Sequence, residues 1–360
     1  MTTDQEEEAV AEWIDYLRTA VAHQASDVFF VAGKPACEKL EGHIRPLDQV
    51  SLLPADTEQI LQGIYAAARR EMELFRKQGD DDFSFAVPGL ARFRVNTYRQ
   101  RGSMAAVIRI VSFDIPDWKQ IGIPQAVMDL AELTAGMVLF TGTAGSGKTT
   151  TQACLIDRIN RTRDCHIVTL EDPIEFLHRH RRSIVSQREI AVDTRDHLSA
   201  LRACVRQAPD VILLGEMRDP ETIQTAITAA ETGHMVIATL HTKGAVNAID
   251  RIIDAFPSTQ QPQIRIQLAA VLKTVVSQQL LPDVHGGMVP ACEIMQINSA
   301  IRSMIRENRN HQIDNAIASG GREGMVSMDR AILELYHAGK ISLETALEHA
   351  DKPDQLRRQL

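Results

Sequence analysis

The segment Gly142-Thr143-Ala144-Gly145-Ser146-Gly147-Lys148-Thr149 has the spacing G-x-x-x-x-G-K-[ST], in which a glycine-rich backbone turns its N–H groups around phosphate oxygens. It follows the apolar run Met137-Val138-Leu139-Phe140-Thr141, the strand-to-helix setting this motif requires. A helix starting here would add the positive end of its dipole. Lys148 is expected to reach the β- and γ-phosphates of a nucleoside triphosphate, Thr149 to ligate Mg2+ through its hydroxyl, and Thr150 to line the same cradle. ATP and Mg2+ are therefore the expected ligands.

Hydrolysis at such a cradle needs a second acid for the metal and a group that positions water, both at the carboxyl ends of neighbouring strands. The run Asp210-Val211-Ile212-Leu213-Leu214-Gly215-Glu216 offers two acids. At about 3.3 Å per residue they lie roughly 20 Å apart, so they cannot share one metal. Glu216 is assigned to the metal and Asp210 to the start of the strand. A second run, Cys165 to Leu170, ends in Glu171-Asp172-Pro173-Ile174-Glu175. These three carboxylates would repel one another unless a cation or polarised water sits among them. Pro173 fixes the turn and aims Glu171 and Glu175 differently, and spacing alone does not choose between them as the general base. His234 and His241 bracket the strand-like run Met235 to Leu240. A lone histidine is more often structural than functional, but His241, followed by Thr242, falls at the strand tip where a phosphate-state sensor would sit. Asp80-Asp81-Asp82 reads as a solvated loop, and His178-Arg179-His180-Arg181-Arg182 as a solvated loop or subunit contact.

Strands with these tips need a sheet. Short apolar runs at Met137 to Thr141, Ile167 to Glu171, Val211 to Gly215 and Met235 to Leu240 alternate with helical patterns, which predicts an α/β core around a mainly parallel sheet. Before it, helical spacing at Glu12 to Ala25 and Thr57 to Phe75 combines with strand-like runs at Val28 to Ala32, Phe83 to Val87 and Ala91 to Tyr98. This predicts a small α+β domain over residues 1–110, with a Pro- and Gly-punctuated linker over 111–122. The ATPase core is expected over 123–295. A helical segment over 296–360 follows Pro290, behind the cap signal Asn298-Ser299.

A chain of 360 residues suffices for two such domains. Its 39 Lys+Arg against 47 Asp+Glu give a net charge of −8, and aromatic residues are 4%. Both disfavour a nucleic-acid partner, which would need basic surface and stacking platforms. The start of the chain, with Glu6-Glu7-Glu8, has no apolar stretch behind a basic end and so does not read as a secretory signal. No run approaches the roughly 18 apolar residues of a bilayer span, so no direct membrane insertion is expected. Five scattered cysteines without a C-x-x-C pair read as reduced thiols of a cytosolic protein.

Four motifs in order, Gly142 to Thr149, Glu171 to Phe176, Asp210 to Asp219, and Ala230-Glu231-Thr232-Gly233-His234 through Leu240-His241-Thr242, resemble the Walker A, Asp box, Walker B and His box of the secretion-superfamily ATPases. The chain is similar in particular to the type IV pilus retraction ATPases. Ala300-Ile301-Arg302-Ser303-Met304-Ile305-Arg306-Glu307 resembles their C-terminal signature, and Ala25-Ser26-Asp27 with Ala32-Gly33 and Pro35 their N-terminal opening. The resemblance runs from about residue 10 to about 350.

It implies a PAS-like N-terminal α+β domain followed by a RecA-like P-loop domain with C-terminal helices, assembled as a homohexamer. It further implies a cytoplasmic motor recruited to the cytoplasmic face of the inner membrane. There it would drive pilus retraction through an inner-membrane platform protein, with a paralogous retraction ATPase as a further partner. By position, the resemblance assigns Glu175 as the group activating water, Glu216 as the Walker B acid near Mg2+ and His234 as the His-box histidine. Arginines supplied from the N-terminal domain or a neighbour would reach the phosphates. Arg92, Arg94, Arg99, Arg109 and Arg218 are the candidates. The chain departs from the family pattern at Ser303, Ala36 and Lys243-Gly244, none of which touches the phosphate chemistry.

Three other functions use the same core. Pilus-extension and type II secretion ATPases usually carry a longer N-terminal region and a four-cysteine zinc insertion, which this sequence does not show. An accessory ring acting beside a stronger paralogue is the second. The third, a nucleic-acid motor, is opposed by the charge.

Overall fold

The computed structural model describes residues 3–40, 42–111 and 115–359, with side chains from Trp13 onward, so Glu6-Glu7-Glu8 lie outside the described side chains. The chain forms two compact units, Met1–Asp114 with Glu175–Leu177, and Ile115–Ile174 with His178–Leu360.

The first unit shows the alternation of half-buried strands most clearly in its two long strands over residues 80–87 and 91–100. Its elements are α1 (Thr3–Ala22), β1 (Asp27–Val31), β2 (Cys37–Leu40), β3 (His43–Pro46), α2 (Pro54–Ala67), α3 (Glu73–Gln78), β4 (Asp80–Val87), β5 (Ala91–Gln100) and β6 (Ser103–Val111). The strands pair antiparallel in the order β3-β2-β1-β6-β5-β4. Phe83, Phe85, Phe93 and Val95 point inward with Val28, Phe30 and Ile108, and Trp13, Leu17, Leu61 and Ile64 of α1 and α2 close over them. The helix expected over Thr57 to Phe75 is two helices, separated where Arg69 takes a positive φ of 52°.

Asp80-Asp81-Asp82 is not a solvated loop. It opens β4, and Asp81 is buried. The Asp81 carboxylate accepts from Arg70 Nε at 2.8 Å and Nη2 at 2.7 Å and from the Tyr65 hydroxyl at 3.0 Å. A buried carboxylate needs such partners, and a run of like charges conceals which of its members has them.

The second unit holds α4 (Gln125–Met128), β7 (Gly136–Thr141), α5 (Lys148–Thr162), β8 (His166–Glu171), β9 (Ile184–Glu189), α6 (His197–Cys204), β10 (Val211–Leu214), α7 (Pro220–Glu231) and β11 (Met235–Leu240). It continues with α8 (Ala245–Asp254), α9 (Gln261–Val271), β12 (Leu272–Pro282), β13 (Met288–Gln296), α10 (Ser299–Arg306), α11 (Ile313–Ser319), α12 (Met328–His337), α13 (Leu343–His349) and α14 (Pro353–Leu356). The sheet order is β13-β12-β7-β11-β10-β8-β9, parallel except for β13. The apolar runs of β7, β10 and β11 are buried throughout, as befits strands covered on both faces.

Two expectations change. Ile115, Trp118 and Ile121 pack on the core of the second unit, so residues 115–122 are not a free linker. The chain past Pro290 is not yet helical, since it forms β13, the last strand of the sheet, paired with β12 and bridged on its outer side to Val326 at Ile294 alone. An edge position tolerates a residue without an N–H.

Candidate functional site

β7, β8, β10 and β11 run in the same direction, with Leu240 beside Thr141 and Leu214 beside both Ala238 and Leu170. Residues following these strands therefore emerge at one edge of the sheet. The loop Gly142 to Gly147 leaves β7 there and enters α5 at Lys148. Gly142 has φ +145° and approaches β12 so closely that a Cβ would stand 2.4 Å from the Gln278 carbonyl oxygen, which only glycine permits. Lys148 is 6% exposed, and its Nζ donates to the Gly142 carbonyl at 2.8 Å, the Thr143 carbonyl at 2.7 Å and Ser146 Oγ at 3.3 Å. The ammonium is thus held inside the loop, with Thr149 and Thr150 in the first turn beyond it.

Glu216 follows β10 at the same edge and is nearly buried. Gly215 passes close to β8, where a Cβ would meet the Leu170 carbonyl at 3.1 Å and Glu171 Cα at 3.3 Å. The carboxylate of Glu216 accepts from Arg218 Nε at 2.7 Å, and His241 Nε2 lies 3.5 Å away. At the tip of β8, buried Glu171 accepts from Thr169 Oγ1 at 2.6 Å and Gln187 Nε2 at 3.2 Å. Thr141 Oγ1 donates to the Thr242 carbonyl and stands 2.6 Å from Thr242 Oγ1. The segment carrying His241 is thereby tied to the base of the phosphate loop. Asp210 is at the other end of β10, where it accepts from the His166 N–H at 2.8 Å, and Asp219 caps α7. Glu175 is exposed and groups with the first unit.

His234 is not brought to this edge. It precedes β11 beside the start of β7, so the length of a strand, roughly 20 Å, separates it from the phosphate loop in its own chain. Its Nδ1 lies 2.9 Å from the Ala229 carbonyl and 3.2 Å from Thr232 Oγ1, which makes it a bracket at the end of α7. His241 is the histidine beside the acid.

The arginine candidates divide by pleat. Arg94 and Arg109 stand opposite each other on β5 and β6, and Arg109 Nε pairs with Asp27 at 3.0 Å. Arg92 shares their face because side chains alternate. Arg99 alternates to the other face, its guanidinium 5.9 Å from the Phe75 ring centroid. Arg218 is 77% exposed but bonded to Glu216 of its own chain.

The basic run His178 to Arg182 is an irregular segment exposed from Arg179 onward, and its backbone is tied down at several points. The His178 N–H donates to Gln187, Asn160 bonds the Arg179 carbonyl and the Arg181 N–H, and Arg182 pairs with Asp164. Burial holds His178 down at about 4. Sequence reading missed Gln278, a buried amide in β12; the strand also carries Lys273, Thr274, Ser277 and Gln279, so nothing in its sequence singled this residue out. Among the described residues no His/Cys/Asp/Glu group has metal-site geometry and no helix is long and apolar enough to cross a membrane.

A family model described as "Type II/IV secretion system protein" matches residues 3–359. The Pseudomonas aeruginosa "Type IV pilus retractation ATPase PilT" is 41% identical over 92% of this chain and 95% of its own length. The "Type IV pilus ATPase PilU" of the same organism is 35% identical over 96% and 90%. A crystal structure of the pilus retraction motor PilT with bound ADP superposes with a TM-score of 0.86 at 43% identity, covering 94% of this chain and 97% of that one. The N-terminal α+β domain followed by a RecA-like domain is the architecture of that motor. With the lysine held inside a strand-to-helix loop and Glu216 at the same sheet edge, at the tip of β10 with β11 between, the chain belongs to the type II/IV secretion system protein family and is a P-loop ATPase.

Proposed function

We propose that this ATPase is the homohexameric motor of type IV pilus retraction. It acts in the cytoplasm, at the cytoplasmic face of the inner membrane, through a platform protein there. The observation that carries the reading is the likeness to PilT along nearly the whole of both chains, with the phosphate loop and acids at one sheet edge. ATP would lie along Gly142 to Thr150, with Lys148 leaving the loop carbonyls for phosphate oxygens of higher negative charge. The Thr149 hydroxyl and the Glu216 carboxylate are hard oxygen donors suited to Mg2+, which when bound would neutralise charge developing on the phosphates. Arg218 and His241 hold the Glu216 carboxylate in place. Glu175 is the proposed base for the attacking water. Arg94 and Arg109, on the polar face of the first unit, are the preferred sources of a cation reaching the phosphates.

Lys148→Ala is expected to abolish nucleotide binding, and Glu175→Gln to retain binding and lose turnover; wild-type turnover in Glu175→Gln would remove the base assignment. A deletion strain is expected to stay piliated without retracting. Loss of surface pili would favour an extension motor instead. The likeness to PilU supports a second reading, an accessory ring. Restoration of retraction by this chain alone, in cells lacking every paralogue, would exclude it.

A further inference from the structure

The phosphate loop is braced from outside as well as by Lys148. Its entry rests on β12, where Gly142 lies against the Gln278 carbonyl. Its exit rests on the same residue, since Gln278 Nε2 donates to the Ser146 carbonyl at 2.9 Å. The other end of that amide accepts from Thr151 Oγ1 at 2.9 Å, in the first turns of α5. Gln278 is 1% exposed, and β12 pairs with β7 beside the loop, Ser277 opposite Thr141. The amide has one orientation here. A backbone carbonyl can only accept, so the NH2 must face Ser146, which leaves Oε1 for the Thr151 hydroxyl.

We infer that Gln278 is a positioning residue for nucleotide phosphate: it sets the Ser146–Gly147 peptide plane so that the Gly147 N–H faces the phosphates. In a trans peptide the carbonyl and N–H point opposite ways, so anchoring the Ser146 carbonyl on β12 turns the following N–H away from that strand. Gly147 fits against the amide without a Cβ, which would stand 2.9 Å from Nε2. Tying Thr151 to the same side chain couples the loop to the helix whose N-terminus completes the cradle. The inference rests on the reading of Gly142 to Thr149 as the nucleotide cradle.

The test uses the full chain with three substitutions. Gln278→Glu keeps an acceptor for Thr151 and places an oxygen against the Ser146 carbonyl. Gln278→Met keeps length without hydrogen bonds, and Thr151→Val removes only the bond that ties the amide to α5. Dissociation constants for ADP and AMP are measured by calorimetry beside each variant's melting point. Gln278→Glu is expected to weaken ADP about tenfold or more, and Gln278→Met about fivefold, the cost of one or two hydrogen bonds. AMP, which lacks the β-phosphate that the loop holds, is expected to change less than about twofold. Thr151→Val should weaken ADP in the same selective way, and Thr151→Ser, which restores the hydroxyl, should recover it. ADP affinity within about twofold of wild type in the folded variants, or equal weakening of ADP and AMP, would overturn the inference by reducing Gln278 to a packing role. If Gln278→Glu does not fold, Gln278→Met and Thr151→Val make the same comparison. Failure of the wild-type chain to bind ADP would instead overturn the reading beneath it.

Discussion

Replacing Gly142 with alanine isolates the packing on which the phosphate loop depends. The new Cβ would stand 2.4 Å from the Gln278 carbonyl oxygen and 2.6 Å from Ser146 Oγ. The serine hydroxyl can rotate away. The carbonyl cannot, because it belongs to β12, which is paired with β7 on one side and β13 on the other. Two costs follow. A φ of +145° is a region that side chains avoid, worth about 1–3 kcal/mol, and an overpacked contact adds about 1–3 kcal/mol. The loop must either bear some 2–6 kcal/mol, lowering the melting point of the second unit by about 2–4 °C per kcal/mol, or relax out of the cradle shape. Relaxation costs nucleotide affinity, at a factor of ten per 1.4 kcal/mol or so. Gly145→Ala is the control, since Gly145 has φ +76° and nothing within 4 Å of its Cβ position, leaving only the left-handed backbone penalty of about 1–2 kcal/mol. ADP calorimetry and thermal unfolding of both variants should therefore rank Gly142→Ala as clearly the worse. A Gly142→Ala protein that binds ADP and melts like wild type, or a Gly145→Ala protein that is the more damaged, would refute the reasoning.

Asp81→Ala should destabilise the first unit by about 1–3 kcal/mol, because it removes the acceptor shared by Arg70 and Tyr65, while the part-exposed Arg70 can turn to water and the Tyr65 hydroxyl keeps Thr97; denaturant unfolding would show this, and Asp81→Asn should be milder. Burial raises the Glu293 carboxyl above the ordinary glutamate value of 4.5, against the Ala245 N–H that it accepts from. An acid raised in the folded state binds its proton more tightly there than in the unfolded chain, so its contribution to stability falls as pH rises from 4.5 through the folded value. Glu293→Gln should flatten that part of the stability profile. Burial also pushes Cys154 and Cys292 up to about 12 and Cys204 to about 11, so iodoacetamide at pH 8 should leave these three unmodified in the native protein, as read by peptide mass; labelling at Cys292 without unfolding would contradict the packing beneath Gln278.

Much of the site could be read locally because its chemistry is local. The phosphate loop is contiguous, and its strand and helix flank it, so spacing alone located Lys148 and Thr149. Glu216 followed from strand length, which ruled out Asp210. The same arithmetic placed His241 at a strand tip, and the structure sets it beside Glu216, whereas His234, assigned by resemblance, lies a strand length away. The edge strands β9 and β13 were harder to read. Strand β9 carries mixed polarity because it is covered on one side only. In β13, Pro290 looked like a terminator and is tolerated only because no partner needs its N–H. Asp81 was hidden among three aspartates, since nothing in a charge run announces which carboxylate turns inward.

The sequence by itself determined a strand-to-helix loop with phosphate-binding spacing at Gly142 to Thr149 and acids at the ends of two further strands, because a few adjacent residues suffice to specify a turn, a helix start and a strand tip. Tertiary structure decided which histidine meets Glu216, which arginines share a face and which residue braces the loop. Those are cross-strand relations. Gln278 lies far along the chain from Ser146 and touches it only because β12 docks beside β7, a pairing set by the burial of whole strands rather than by any local signal.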